Sequence, residues 1–170
     1  MKILPKIILT MIEIKAPSSY SVYREKPSVF LAGSIEMGKA VDWQLQVVSG
    51  LKAFDVLILN PRRDNWDSSW EQSIDNPKFC EQVEWELDGL DAADLVAFYF
   101  DPQTKSPITM MELGIQAAKN PKKLVVCCPQ GFWRKGNVDI VCDRYGVQQV
   151  ETLDDLVRQT VNLLKKSCIK

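Results

Sequence analysis

The sequence predicts an α/β fold: a doubly wound, mostly parallel five-stranded sheet with helices on both faces, flavodoxin- or Rossmann-like, in a single domain. Three observations predict it. The chain has 170 residues, one domain's worth and enough to bury a core. The runs SVFLA (28–32), DVLILN (55–60), DLVAFYF (94–100) and LVVCC (124–128) are apolar almost throughout. Strands covered on both faces read this way. Stretches of helical character separate them, and regular strand–helix alternation builds a parallel sheet.

Residues 1–27 read as an N-terminal extension. Within it Lys6–Ile14 (KIILTMIEI) is apolar and β-branched, a candidate edge strand, and residues 15–27 form a Pro-, Ser- and Lys-rich connector. The main domain is placed at 28–170. Ser28–Ala32 is its first strand and leads into a loop carrying Gly33 and Gly38; Val41–Phe54 has helical character. Asp55–Asn60 is a buried-type strand that runs into Pro61 and a long polar loop with Trp66 and Trp70. Pro77–Ala93 reads as helix, Asp94–Phe100 as strand, Thr109–Lys119 as helix and Leu124–Cys128 as strand. Residues 137–145 suit a short helix and Val147–Val150 a last strand. Thr152–Lys166 is a final amphipathic helix opening on Thr152-Leu-Asp-Asp155, close to a capping box.

Composition removes whole classes of function. Lys and Arg total 21 against 22 Asp and Glu, a net charge of −1, which disfavours a nucleic-acid polymer or an anionic membrane as partner. There is no histidine, so His general bases, Ser-His-Asp and Cys-His systems and His metal sites are excluded. Acid–base work at neutral pH falls to Asp, Glu, Lys, Tyr or Cys. The five cysteines are odd in number and form no C-x-x-C; reduced thiols of a cytoplasmic protein fit them better than a zinc site. No apolar run is long enough to cross a bilayer. Pro5 and Glu13 break the Lys-containing apolar start, and no cleavage pattern follows, so a signal peptide is not expected.

In a doubly wound sheet the ligand sits beyond the carboxyl ends of the strands, which directs attention to loops 33–40, 60–75, 101–108 and 129–137. Gly33-Ser34-Ile-Glu-Met-Gly38-Lys39-Ala40 approaches the phosphate loop G-x-x-x-x-G-K-[ST]. Ala40, however, replaces the hydroxyl that would hold Mg²⁺, and Glu36 adds negative charge. A glycine turn whose backbone N–H groups meet an anion is the alternative. Asp101 follows an apolar strand as a metal-directed Asp would. Thr109-x-x-Glu112 reads as a capping box, with Glu112 in the first turn of its helix and held ionised by the helix N-terminus. An ionised, positioned carboxylate can attack an electrophilic carbon such as an anomeric centre. On the helix 77–93, Glu84, Asp88 and Asp91 form an acidic face, while Glu86 lies on the more apolar side with Phe79, Val83 and Leu90. The loop after residue 60 holds Arg62, Arg63, Asp64, Trp66 and Trp70. Aromatic rings beside planar hydrogen-bonding groups suit a nucleobase, and equally a loop anchored through its tryptophans.

From about Ser28 to Val150 these positions resemble the nucleoside 2-deoxyribosyltransferase family, in the branch with N-P-R-R and a tryptophan after the second strand, here Asn60–Arg63 and Trp66. The first strand leads to a small turn, Val29-Phe-Leu-Ala-Gly-Ser34. A helical carboxylate, Glu86, stands eight residues before Asp94, and Met111-Glu112-Leu113-Gly114 matches the helix start bearing the nucleophilic Glu. Relatives that hydrolyse deoxynucleoside monophosphates have a Ser six residues before that Glu, here Ser106. In transferases a late-loop Asn, matched by Asn137, is often given by a neighbouring subunit to the sugar 5′-hydroxyl. Phe30 stands where a Tyr is common, Glu86 where Asp is usual, and Ser106 where transferases have Asp.

The resemblance implies a nucleoside deoxyribosyltransferase-like domain over 28–170 that exchanges or cleaves the N-glycosidic bond of a (deoxy)nucleoside or nucleotide. Glu112 would attack C1′ and Glu86 would contact the base or sugar and hand over a proton. Gly33, Ser34, Arg62, Arg63, Asp64, Trp66, Asp101, Ser106 and Asn137 would bind substrate. No metal or other cofactor is needed, and a homodimer or higher homo-oligomer is expected. Three alternatives stay open: a nucleoside 5′-monophosphate hydrolase, a nucleotide-sensing module without turnover, and a phosphate-loop phosphotransferase.

Overall fold

The computed structural model describes residues 10–167. Its sheet has six strands, all parallel: β1 (Ile12–Lys15), β2 (Ser28–Gly33), β3 (Leu57–Asn60), β4 (Leu95–Tyr99), β5 (Leu124–Cys127) and β6 (Gln148–Val150), in the order β1-β3-β2-β4-β5-β6. The additional strand, β1, is the candidate edge strand of the extension. It pairs with β3 in the register Ile12↔Leu57, so the sheet exceeds the five strands expected of the domain alone. The part of the expected run over residues 6–9 lies outside the described residues.

The helices are α1 (Trp43–Leu51), α2 (Pro77–Ala92), α3 (Pro107–Lys119), α4 (Lys135–Tyr145) and α5 (Leu153–Ser167). Strands β2 to β5 are buried nearly throughout, because helices cover both faces. One face carries Phe30, Leu59, Trp85, Phe98, Leu113 and Val126 under α2, α3 and α4. The other carries Leu31, Trp43, Val47, Ile58, Ala97 and Leu156 under α1 and α5. Period-2 alternation divides each strand between the two cores. Cys127 belongs to the second core, and Cys128 and Cys142 to the first. Burial pushes all three thiols up to about 12.

Two glycines set close approaches. A Cβ on Gly33 would lie 2.4 Å from the Tyr99 carbonyl oxygen, and one on Gly89 would lie 2.6 Å from the Phe30 ring. Gly89 thus lets α2 settle onto β2. The winding reverses between β2 and β4. The loops leaving these two strands flank the crevice where such folds take ligands.

Candidate active site

At that crevice the side chains are knitted to one another. The Asp101 N–H donates to Ser34 Oγ at 2.9 Å, and Ser34, Thr104 and Ser106 form a buried triangle of hydroxyls with edges of 2.6, 2.7 and 2.9 Å. The Asp101 carboxylate accepts from the N–H groups of Val41 and Gln103, each at 2.9 Å. These four polar side chains are almost fully buried. They fix the floor of the crevice by satisfying one another, as buried polar groups must. Glu36 reaches across: its Oε1 accepts from the N–H of Ser106 at 2.8 Å and from that of Lys105. Helix α1 begins only at Trp43, capped by Asp42, so Lys39 is separated from its helix by further loop.

Helix α3 starts earlier than the sequence suggests. Pro107 occupies its first position and Ser106 its N-cap, a placement that suits a residue without an N–H. Thr109 is therefore already inside the helix and Glu112 lies in the second turn, so neither forms a capping box. Glu112 is 7% exposed, and its carboxylate accepts no hydrogen bond among the described residues. Desolvation, and behind it the charge of Glu86, raise it to about 8. The expectation that the helix N-terminus holds Glu112 ionised is overturned by this burial: the dipole acts within the first turn, whereas losing water penalises the charged form outright.

Glu86 approaches from α2. Burial raises it to about 7, opposed by the hydrogen bond it accepts from Gln82 Nε2 at 2.8 Å. Gln82 also donates to the Pro61 carbonyl at 3.1 Å and accepts from Arg63 at 3.4 Å. Beside Glu112, a cleft of about 200 Å³ opens between Leu87, Leu90 and Asp91 of α2 and Ile115 and Gln116 of α3. Gln116 Nε2 donates to Asp91 at 2.7 Å, which fixes the amide and leaves its buried Oε1 without a partner among the described residues. Gln82 and Gln116 carry no motif. Their only sequence signal is i,i+4 spacing to Glu86 and Glu112, which puts each beside its carboxylate on a helix face.

The β3–α2 loop divides its residues. Arg62 turns back onto the carbonyls of Ala40 (3.4 Å) and Val41 (3.3 Å), and Asp64 pairs with Lys15 at 2.6 Å, away from the carboxylates. Arg63 runs toward them through Gln82, with its guanidinium 5.0 Å from the Trp70 ring centre. Trp66 packs on Trp70 with ring centres 5.2 Å apart, and its buried Nε1–H has no acceptor among the described residues.

The sequence model of the family described as nucleoside 2-deoxyribosyltransferase like matches residues 26–132, well over half of the chain. The chain belongs to that family. No curated protein matches it significantly. The matched span of this deoxyribosyltransferase-like chain includes β2 to β5, Glu86, Glu112 and the loop with Arg63 and Trp66, but ends before Asn137. Asn137 lies exposed in the first turn of α4, whose N-cap is Arg134. The aromatics before it part company: Phe132 is buried against Phe100 at 5.0 Å, whereas Trp133 is 48% exposed. Among the described residues no helix is long and apolar enough to cross a membrane.

Proposed function

We propose that this deoxyribosyltransferase-like protein cleaves or exchanges the N-glycosidic bond of a nucleoside-type substrate through a glycosyl ester on Glu112. The supporting observation is a buried carboxylate, Glu112 from α3, and a half-buried one, Glu86 from α2, near enough for the charge of Glu86 to raise Glu112, both shifted toward neutrality chiefly by desolvation. Such a pair holds about one proton around pH 7 to 8, on Glu112 by preference; substrate binding moves it to Glu86, because the reaction needs Glu112 as the carboxylate and Glu86 as the carboxylic acid. A Glu112 oxygen attacks C1′ and forms the ester bond. The C1′–N bond breaks with its electron pair leaving on the base nitrogen, and the Glu86 proton passes to the base. Water or a second base then attacks C1′, its proton goes to Glu86, and the ester C1′–O bond breaks to restore the Glu112 carboxylate. The loop with Arg63, Trp66 and Trp70 flanks the base, where an indole face and an unspent indole N–H suit a planar heterocycle. Gly33, Ser34, Asp101 and Ser106 shape the sugar end. Asn137 completes the pocket of a second copy in a homo-oligomer.

The test is release or exchange of free base from mixed 2′-deoxynucleosides, followed chromatographically without added metal. Turnover is expected, with Glu112→Ala lowering it by about a thousandfold or more. Mass spectrometry of quenched wild type should find the sugar on the peptide containing Glu112. No base release from any nucleoside, or a Glu112→Ala variant within tenfold of wild type, overturns the proposal.

A further inference from the structure

Among the described residues only Glu36 (φ 41°) and Ser106 (φ 45°) are non-glycine residues with left-handed backbone, and they meet each other. The turn before α3 presents the N–H groups of Lys105 and Ser106 together, an arrangement that ordinarily receives an anion. Here it is filled from within by Glu36 Oε1. The second carboxylate oxygen of Glu36 has no hydrogen-bond partner among the described residues.

Most of the groups near this turn that a phosphate would call on are engaged elsewhere. The hydroxyls of Ser34, Thr104 and Ser106 bond to one another. Lys105 Nζ lies 4.9 Å from the Trp133 ring centre, the Arg134 guanidinium 4.4 Å from the same centre, and Arg62 is spent on backbone carbonyls. Glu112 lies six positions after Ser106, ~9 Å along a helix axis. The Glu112 side chain leans back toward the helix start. The Glu112 carboxylate therefore lies less than ~9 Å along that axis from the turn that Glu36 fills, a spacing on the order of a nucleoside's sugar.

We propose that Glu36 makes the site selective for nucleosides with a free 5′-hydroxyl over their 5′-monophosphates, an inference that rests on the glycosidic reading above. The hydroxyl donates to the unpartnered Glu36 oxygen. A phosphate in the same place meets a carboxylate already bonded to the N–H pair of Lys105 and Ser106, while Lys105 Nζ, Arg134 and Arg62 are held elsewhere. The selectivity comes from repulsion as much as from attraction.

The experiment compares wild type, Glu36→Gln and Glu36→Gly on the four common 2′-deoxynucleosides and their 5′-monophosphates. It also titrates each protein with inorganic phosphate by calorimetry. Glycine suits the left-handed backbone, so that variant empties the turn without straining it, while glutamine removes only the charge. Wild type should favour nucleosides by at least about tenfold in kcat/KM, and Glu36→Gly should shift the ratio toward monophosphates by about tenfold or more and gain phosphate affinity by a similar factor. Equal use of monophosphates by wild type, or a ratio unmoved in both variants, overturns the proposal. If no substrate turns over, the glycosidic reading is what fails. The phosphate titration then decides the role of Glu36: a gain of affinity in Glu36→Gly supports its blocking of the anion site, and unchanged affinity refutes it.

Discussion

Glu112 is held in a place that is costly for its charge, and that cost is measurable. The carboxyl has an ordinary value of 4.5 and is raised to about 8 in the folded protein. Its contribution to stability is therefore fully present below about pH 4.5 and is lost as pH rises through about 8, since the unfolded chain gives up the proton first. Glutamine at 112 cannot ionise. The melting temperature of Glu112→Gln relative to wild type should climb between those pH values and then level off, each kcal/mol appearing as about 2–4 °C in a chain of this size. Thermal melts at pH 5, 7 and 9 check this, and a constant difference across the series would show that Glu112 is not desolvated. Glu112 and Glu86 stand out in the sequence through residue type, order and spacing. It could not show their protonation, because that depends on how much water two helices far apart in the chain exclude together. Gln82 and Gln116 were invisible for the same reason: a glutamine on a helix usually faces solvent, whereas Gln116 is buried against Asp91 of α2 and Gln82 against the β3–α2 loop through Pro61 and Arg63.

At the scale of elements, local chemistry was readable and long-range supplementation was not. Strands β2 to β5 announced themselves as continuous apolar runs, and α2 begins at Pro77 after the capping Asn76, whose side chain accepts from Lys78 and Phe79. The start of α3 misled because Thr109-x-x-Glu112 satisfies the capping pattern, while Pro107 starts the helix two residues earlier. The acceptor for the turn before it, Glu36, comes from 70 residues away, beyond any local rule. The β3–α2 loop had two readings, base platform or core anchor, and the structure gives Trp66 features of both: half-buried packing on Trp70 and an unspent N–H. Trp66→Ala should weaken nucleoside binding by about 1–3 kcal/mol if a base stacks there. Calorimetry with the substrate base, paired with a melting curve, distinguishes the roles. A lowered melting temperature with unchanged binding assigns Trp66 to the loop's own packing.

Across the whole molecule, the extension and the main domain form one body. Strand β1 extends the sheet beyond β3, the Asn60 amide donates to Glu13 at 2.7 Å, and Trp85 of α2 donates its indole N–H to the Ser18 carbonyl at 2.9 Å. The proposed assembly extends the same question to a second copy. Leu87, Ile108, Met111 and Ile115 leave apolar surface exposed on α2 and α3 beside the Glu112 cleft, and Asn137 stands free on α4. If a neighbour's Asn137 serves each pocket, Glu112→Ala and Asn137→Ala chains, each impaired alone, should regain activity when co-assembled, because some pockets then hold both intact residues. A monomer by light scattering, or no rescue from verified mixed oligomers, rules the shared pocket out.

The adjacent cysteines that close β5 make the fold its own stopwatch. Cys127 looks into the layer under α1 and α5, and Cys128 into the layer under α2 to α4. With both raised to about 12, almost no thiolate exists at neutral pH until water enters, and alkylation proceeds through the thiolate. Half-buried Cys80 should therefore react first with iodoacetamide, in a variant whose Cys168 is replaced by serine. Peptide mapping over time should then show Cys127 and Cys128 labelled together, at a pace set by the free energy of releasing β5. Labelling of Cys128 ahead of Cys127 would mean instead that the helices bearing Glu86 and Glu112 lift from the sheet as a separate unit, a breathing motion that opens the face of the candidate site while the opposite one stays shut.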